Sequence, residues 1–137
     1  MGTKNAPPAQ CLAIIICESV VEDHRTHNKC ILNAYNRITS ASYPARQDRL
    51  AVFISLTDGR DDQPFKVQFI GPDGDIVTEA GGQVRFPDPL AVVDLVLDLR
   101  GFPIAMAGNY EVRALVCDTI VGQRRFSAVE AGGGGGQ

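Results

Sequence analysis

The sequence predicts an all-β fold, an antiparallel two-layer β-sandwich of immunoglobulin-like appearance with about eight strands. Three observations carry this. From Val93 to Arg100 the chain alternates, with Val93, Leu95, Leu97 and Leu99 on one side and Asp94, Asp98 and Arg100 on the other. Only Val96 breaks the polar side. That two-residue period suits a strand with one face on a core and one in water. The pattern recurs roughly every ten residues with turn residues between runs. No segment of useful length shows a helical period, and no internal repeat is evident.

Taken in order, residues 1–10 are polar and proline-containing and read as a loose tail. The first strand, Cys11–Val21, is apolar on both faces except for Glu18 and Ser19. The second is read as one run, Lys29–Thr39. Leu50–Leu56 follows, closed by Thr57-Asp58-Gly59, and then Phe65–Ile70. Pro72-Asp73-Gly74 makes a tight hairpin into Asp75–Phe86, in which Gly81-Gly82 suggests a bulge or a break. Pro87 and Pro89 end that strand, because neither can donate to a ladder. Leu90–Arg100 comes next, then a connection framed by Gly101, Pro103 and Gly108. The last hairpin joins Asn109–Cys117 to Ile120–Val129 through Asp118-Thr119. One domain therefore occupies residues 11–130, followed by a glycine-rich tail at 131–137.

Parity assigns core faces. Leu50, Val52, Ile54 and Leu56 point one way, as do Phe65, Val67 and Phe69, and Tyr110, Val112, Ala114 and Val116. The last hairpin resists: a two-residue turn at Asp118-Thr119 sets Ala114 beside Gln123 and Val112 beside Arg125, a poor inner face. A bulge near Gly122 would repair it.

A net charge of −3 gives no basic footprint, so nucleic acid is not expected as a partner. Arg113, Arg124 and Arg125 read as a solvated strand face. The four cysteines, Cys11, Cys17, Cys30 and Cys117, lack the close pairing of zinc or dithiol redox sites. Cys17 and Cys30 fall on neighbouring strands, which leaves one bridge open, but reduced thiols are the expectation. No export signal or membrane span is visible, so a cytoplasmic location is expected.

Chemistry-bearing residues are few. His24 and His27 share a loop with Glu22 and Asp23. If each strand crosses the sandwich once, loops 22–28, 57–64, 87–89 and 118–119 share one end. A divalent cation could then be held by Asp23, His24, His27, Asp58, Asp61 and Asp62, an imidazole and carboxylate set suited to zinc or calcium. The competing reading is a group of ordinary acidic turns, since Asp favours turns. No nucleophile stands beside the histidines, Asp61-Asp62 lies in an exposed turn, and no glycine loop opens a helix. No catalytic residue and no cofactor are assigned, and the chain is not expected to be an enzyme.

Other residues resemble a known family. Tyr43-Pro44 ahead of a strand ending Leu56-Thr57-Asp58-Gly59, the segment from Phe86-Pro87-Asp88-Pro89 to Val93, and Gly108-Asn109-Tyr110 are similar to a bacterial family of short cytosolic proteins known only as a domain of unknown function. The resemblance covers roughly Cys11 to Val129. Cys30 to Ile38 resembles that family's second strand, which usually carries a glycine near Asn33. The resemblance implies a β-sandwich and no known activity.

The functional reading is a non-catalytic interaction or structural module that self-associates or binds a protein partner. Its alternative is a cation- or small-ligand-binding module using the acidic loop end. The doubly apolar first strand supports the former: its surplus apolar face calls for a cover from the N-terminal tail, a loop or another chain, and the expectation is a homodimer or a hetero-complex over Leu12, Ile14 and Ile16.

Overall fold

The computed structural model describes residues 9–131. Nine strands form two sheets: β1 (Gln10–Glu22), β2 (Lys29–Ala34), β3 (Arg37–Ser40), β4 (Ala45–Thr57), β5 (Asp61–Ile70), β6 (Ile76–Phe86), β7 (Val93–Ile104), β8 (Gly108–Val116) and β9 (Thr119–Glu130). One sheet has the order β2-β1-β4-β7 and the other β3-β9-β8-β5-β6. All pairings are antiparallel except β3 with β9. In immunoglobulin lettering β1, β4 and β7 stand as A, B and E, opposed by β3, β9, β8, β5 and β6 as A′, G, F, C and C′. Tyr110, near the start of β8, donates its hydroxyl to Met106 O at 2.7 Å, as a tyrosine corner does.

Between the sheets lie Ile14 and Ile16 of β1, Leu50, Val52, Ile54 and Leu56 of β4, and Val67 and Phe69 of β5. Tyr110, Val112, Ala114 and Val116 of β8 complete the centre, as parity requires. Phe69 and Phe102 meet across the layers with ring centroids 4.9 Å apart. Of the residues read as an N-terminal tail, Ala9 joins the core and Gln10 opens β1, and residues 1–8 fall outside the described residues. The glycine run falls outside the described residues.

The structure departs from the sequence reading at four places. The run 29–39 is two strands in different layers. After Ala34 the chain leaves the first sheet, Tyr35 N–H donates to Ile16 O at 2.9 Å, and β3 joins β9 in the second sheet. Gly81-Gly82 is neither bulge nor break; both pair without interruption with Lys66 and Phe65. A Cβ on Gly81 would stand 2.9 Å from Phe65 O. Gly101 and Pro103 lie within β7 rather than after it. An edge strand tolerates proline, and Gly101, at φ 64°, redirects the chain so that Phe102 and Ile104 enter the core. Lastly, Cys117 and Asp118, both at positive φ, turn the final hairpin in the manner of a primed turn.

The bulge expected near Gly122 is present. Leu115 pairs with Ile120 and Ala114 with Gly122, leaving Val121 as the extra residue. Gly122 and Arg124 thereby face inward. Gly122 is needed because a Cβ there would lie 2.7 Å from Cys11 Sγ. Arg124 reaches across the layers, donating Nη1 to Ile14 O at 3.0 Å and Nη2 to Asn36 Oδ1 at 2.6 Å.

Gly122→Ala is expected to cost about 1–3 kcal/mol in urea unfolding through overpacking. Adding Cys11→Ala should recover part of that loss, since it removes the nearer obstructing atom.

Candidate functional site

The cation site drawn from the sequence does not assemble. Gln10 pairs with Thr57, so β4 ends beside the start of β1, and the short link to β5 keeps Asp58, Asp61 and Asp62 there. Asp23, His24 and His27 follow the other end of β1, which is 13 residues long and therefore about 40 Å away. The reason is the divided second strand: β2 descends half the sheet and β3 climbs back in the other layer, adding a reversal that swaps the ends. Among the described residues no three His, Cys, Asp or Glu side chains converge in a metal-holding group.

Each loop has a local explanation. Asp23 Oδ1 accepts from the N–H groups of Arg25 at 2.8 Å and Thr26 at 3.0 Å, closing an Asx turn. Those two bonds, Thr26's first, hold the Asp23 carboxyl below its usual range. His27 Nδ1 lies 2.7 Å from Glu22 Oε2, and this contact, with Lys29 adding to it, lowers the Glu22 pKa. At the other end Asp62 pairs with Arg85 at 3.6 Å and Asp118 with Lys66 at 3.9 Å. Asp58 and Asp61 take left-handed backbone conformations, which Asp tolerates better than most residues. Asp61 and Asp62 open β5 and are not turn residues.

The strip expected at Leu12, Ile14 and Ile16 is also corrected. Ile14 is 6% exposed and Ile16 0%, because β1 turns that face toward the second sheet of its own chain. Leu12, displaced by a bulge between Cys11 and Ala13, stays 54% exposed. Among the described residues, the side of β1 with no layer over it is the opposite one.

That outer face is organised in cross-strand rows. Ile15 pairs with Phe53 and Phe53 with Val96; Cys17 pairs with Ala34 and Ala51, and Ala51 with Asp98. Below them run Ala13, Ser55 and Asp94; above them Arg49 pairs with Arg100 and Ser19 with Leu32. Val96, Leu32 and Val21 are 40%, 44% and 46% exposed, and Ile15 and Phe53 half-buried. Cys17 and Ala51 are fully covered by their neighbours. Burial, with the Asp98 carboxylate adding to it, pushes the Cys17 thiol up, so it stays protonated at neutral pH.

The outer face of the second sheet has the opposite character. Gln68 donates to Glu79 at 2.8 Å, Lys66 lies 3.9 Å from Glu79, and Arg113 pairs with Glu111 at 2.6 Å. The second sheet's outer face is laced with ion pairs, whereas the first carries an apolar row set among charged residues. Sequence reasoning missed Phe53, Val96, Ala51 and Leu32 as a group. The signal was present in Val96, the one exception on the polar side of β7, which stands in line with Phe53 and Ile15.

A polar hollow of about 500 Å³ opens between β1, β2 and the start of β4, beside Glu18, Asn33, Tyr35 and Arg49. Asn33 donates to Glu18 at 2.6 Å. The Tyr35 hydroxyl is buried without a hydrogen-bond partner, and burial pushes its pKa up to about 12. It is a neutral phenol at any physiological pH.

Residues 12–129 match the sequence profile of DUF6941, a family of unknown function. The chain belongs to that family. No curated protein matches it. Among solved structures it is similar to an immunoglobulin-like protein, PA1606, from Pseudomonas aeruginosa, at 11% identity and a TM-score of 0.45, covering 90% of this chain and 98% of that one. It is also similar to part of the Pseudomonas fluorescens alkylpurine DNA glycosylase AlkC, bound in that structure to DNA with an abasic-site analogue. The identity is 9%, the TM-score 0.48, and the match covers 93% of this chain and 33% of the glycosylase. A third, a β-glucosidase from Kluyveromyces marxianus, matches at 15% identity and a TM-score of 0.42, over 69% of this chain and 15% of that one. Among the described residues no helix is long and apolar enough to cross a membrane.

All four cysteines are free. Cys17 lies opposite Ala34 and Cys30 opposite Val21, an offset of roughly 13 Å along the strands, too far for a disulfide. In the folded protein Cys30 should be alkylated at the rate of a free thiol and Cys17 only after denaturation, as peptide mass spectrometry of timed reactions will show. Equal rates would contradict the covered position of Cys17.

Proposed function

We propose that this member of DUF6941 is a non-catalytic interaction module that docks a protein partner on the outer face of the β2-β1-β4-β7 sheet. The observation that carries the proposal is the row Ile15, Phe53 and Val96 standing in register across three strands, with no covering element among the described residues. Scattered apolar residues on a surface need no explanation, but aligned ones make a contiguous patch, which marks interaction sites. The patch has the composition of an interface centre, aromatic and aliphatic, with Asp94, Asp98, Arg49 and Arg100 along one side as a polar rim. The ion-paired face of the other sheet supplies the contrast within the same molecule.

The test compares retained proteins. Tagged wild-type chain expressed in its native cell should hold a stoichiometric partner, another protein or an untagged copy of itself. Ile15→Lys with Phe53→Lys should lose it while keeping a wild-type circular dichroism spectrum, since neither side chain belongs to the core between the sheets. Lys66→Glu on the opposite face should retain it. Retention by the Ile15 and Phe53 variant, or loss by the Lys66 variant, would move the interaction elsewhere.

A further inference from the structure

The β2-β1-β4-β7 sheet parts at one end, and the polar hollow lies in the parting. The ladder between β1 and β4 runs only as far as Cys17 and Ala51. Beyond it β1 continues to Glu22 on β2 alone, and β4 reaches back to Ala45 on β7 alone. The facing edges of the two strands are therefore no longer bonded to each other. We propose that this hollow binds a small zwitterion, a free α-amino acid, with Arg49 and the Tyr35 hydroxyl holding its carboxylate and Glu18 and Asp48 holding its ammonium group. The site goes beyond the docking reading: its ligand is a small molecule, and the purified chain suffices to test it.

What points to a zwitterion is that charges of both signs line one hollow without neutralising each other. Glu18, Arg46, Asp48 and Arg49 all border it. Among the described residues none of the four forms an ion pair. Glu18 instead accepts from the neutral Asn33 amide, and through Oε1 alone. Arg46 is tied to a carbonyl, donating Nη1 to Gly101 O at 2.7 Å. Strand parity explains the separation. On β4, Gln47 and Arg49 point to one face and Arg46 and Asp48 to the other. Glu18 shares the face of Ile14 and Ile16, which is also that of Leu50 and so of Asp48. One wall accordingly carries the Arg49 cation and the other the two carboxylates.

The Tyr35 hydroxyl belongs to the cationic wall, since Gln47 stands beside it, short of hydrogen-bonding geometry. A buried neutral phenol without an acceptor is costly, and a carboxylate held by Arg49 is the acceptor it lacks. A simple anion would meet the two carboxylates opposite, and a simple cation would meet Arg49. A neutral polyol would leave both walls without a countercharge. An amino acid carries both charges a few atoms apart and answers both walls. The volume of about 500 Å³ falls within the range of roughly 300–1,000 Å³ usual for small-molecule sites.

Thermal unfolding of the full chain with each proteinogenic L-amino acid at millimolar concentration provides the test, followed by titration calorimetry with the one that shifts most. At least one should raise the melting temperature, because a ligand that binds only the folded state adds stability by mass action. Its N-acetyl and methyl-ester forms, each lacking one charge, should bind about tenfold more weakly or worse. Arg49→Gln and Glu18→Gln should each weaken the parent amino acid to the same degree, while Arg85→Gln on β6 should not. Tyr35→Phe distinguishes a binding hydroxyl from a structural one. It should weaken binding and leave the unliganded protein at least as stable to urea as the wild type, since it deletes a buried hydroxyl that has no partner. No shift with any amino acid overturns the proposal. So does an equal shift with acetate or methylamine, which makes the hollow a site for a single charge. Binding that ignores both Arg49→Gln and Glu18→Gln overturns the location, and a Tyr35→Phe protein less stable than the wild type overturns the part given to the hydroxyl.

Discussion

A strand has two faces and a two-layer sandwich has one interior, so each sheet can hide only half of its side chains. The β3-β9-β8-β5-β6 sheet obeys this economically: Val67 and Phe69, Tyr110 and Val112 go in, while Lys66, Gln68, Glu111 and Arg113 go out. The other sheet does not. Its β1 and β4 send Ile14, Ile16, Val52 and Ile54 inward and still carry Ile15, Cys17, Ala51 and Phe53 on the reverse. The asymmetry between the faces follows from that surplus, and so does the functional reading.

The second dependence is on how the layers are fastened at their flank. β2 covers only the upper part of β1 and β3 only the last residues of β9, so among the described residues the lower parts of β1 and β9 have no strand partner on that side. The bulge at Val121 turns Arg124 into this gap, and its guanidinium bonds the carbonyl of Ile14 and the side chain of Asn36. A side chain thus satisfies an acceptor that a further strand would otherwise take, and it does so without offering a ladder that another chain could extend. Tyr43 fastens the other end, donating to Val129 O at 2.6 Å.

Much of the architecture is legible in the sequence because the two-residue period survives in almost every strand. What escapes is where a strand changes layer. Tyr35-Asn36 contains neither glycine nor proline, so no chain-breaking residue separates β2 from β3. That one unseen crossing decides which loops are neighbours, and it is why Asp23, His24 and His27 part from Asp58, Asp61 and Asp62. The flank bulge was legible because the inward parity of β8 demanded it. The interaction face was half legible: the double apolarity of β1 shows in sequence, but which side its own chain covers depends on the register with β4 and on a bulge at Cys11–Ala13. Gly101 and Pro103 were misread as a connection because their breaking tendency matters less on a strand with a single neighbour.

The order of strands in the two sheets has a consequence for folding. Along the chain the backbone passes from one layer to the other five times: after β2, β3, β4, β6 and β7. Neither layer is a continuous piece of sequence, so neither can detach or assemble while the other stays intact. Four of the seven strand pairings join strands that are not consecutive in the chain, and the loop-closure entropy must be met before those form. The domain therefore behaves as one cooperative unit that folds slowly for its size, and amides at the centre of β4 and β8 exchange with solvent only when the whole molecule opens.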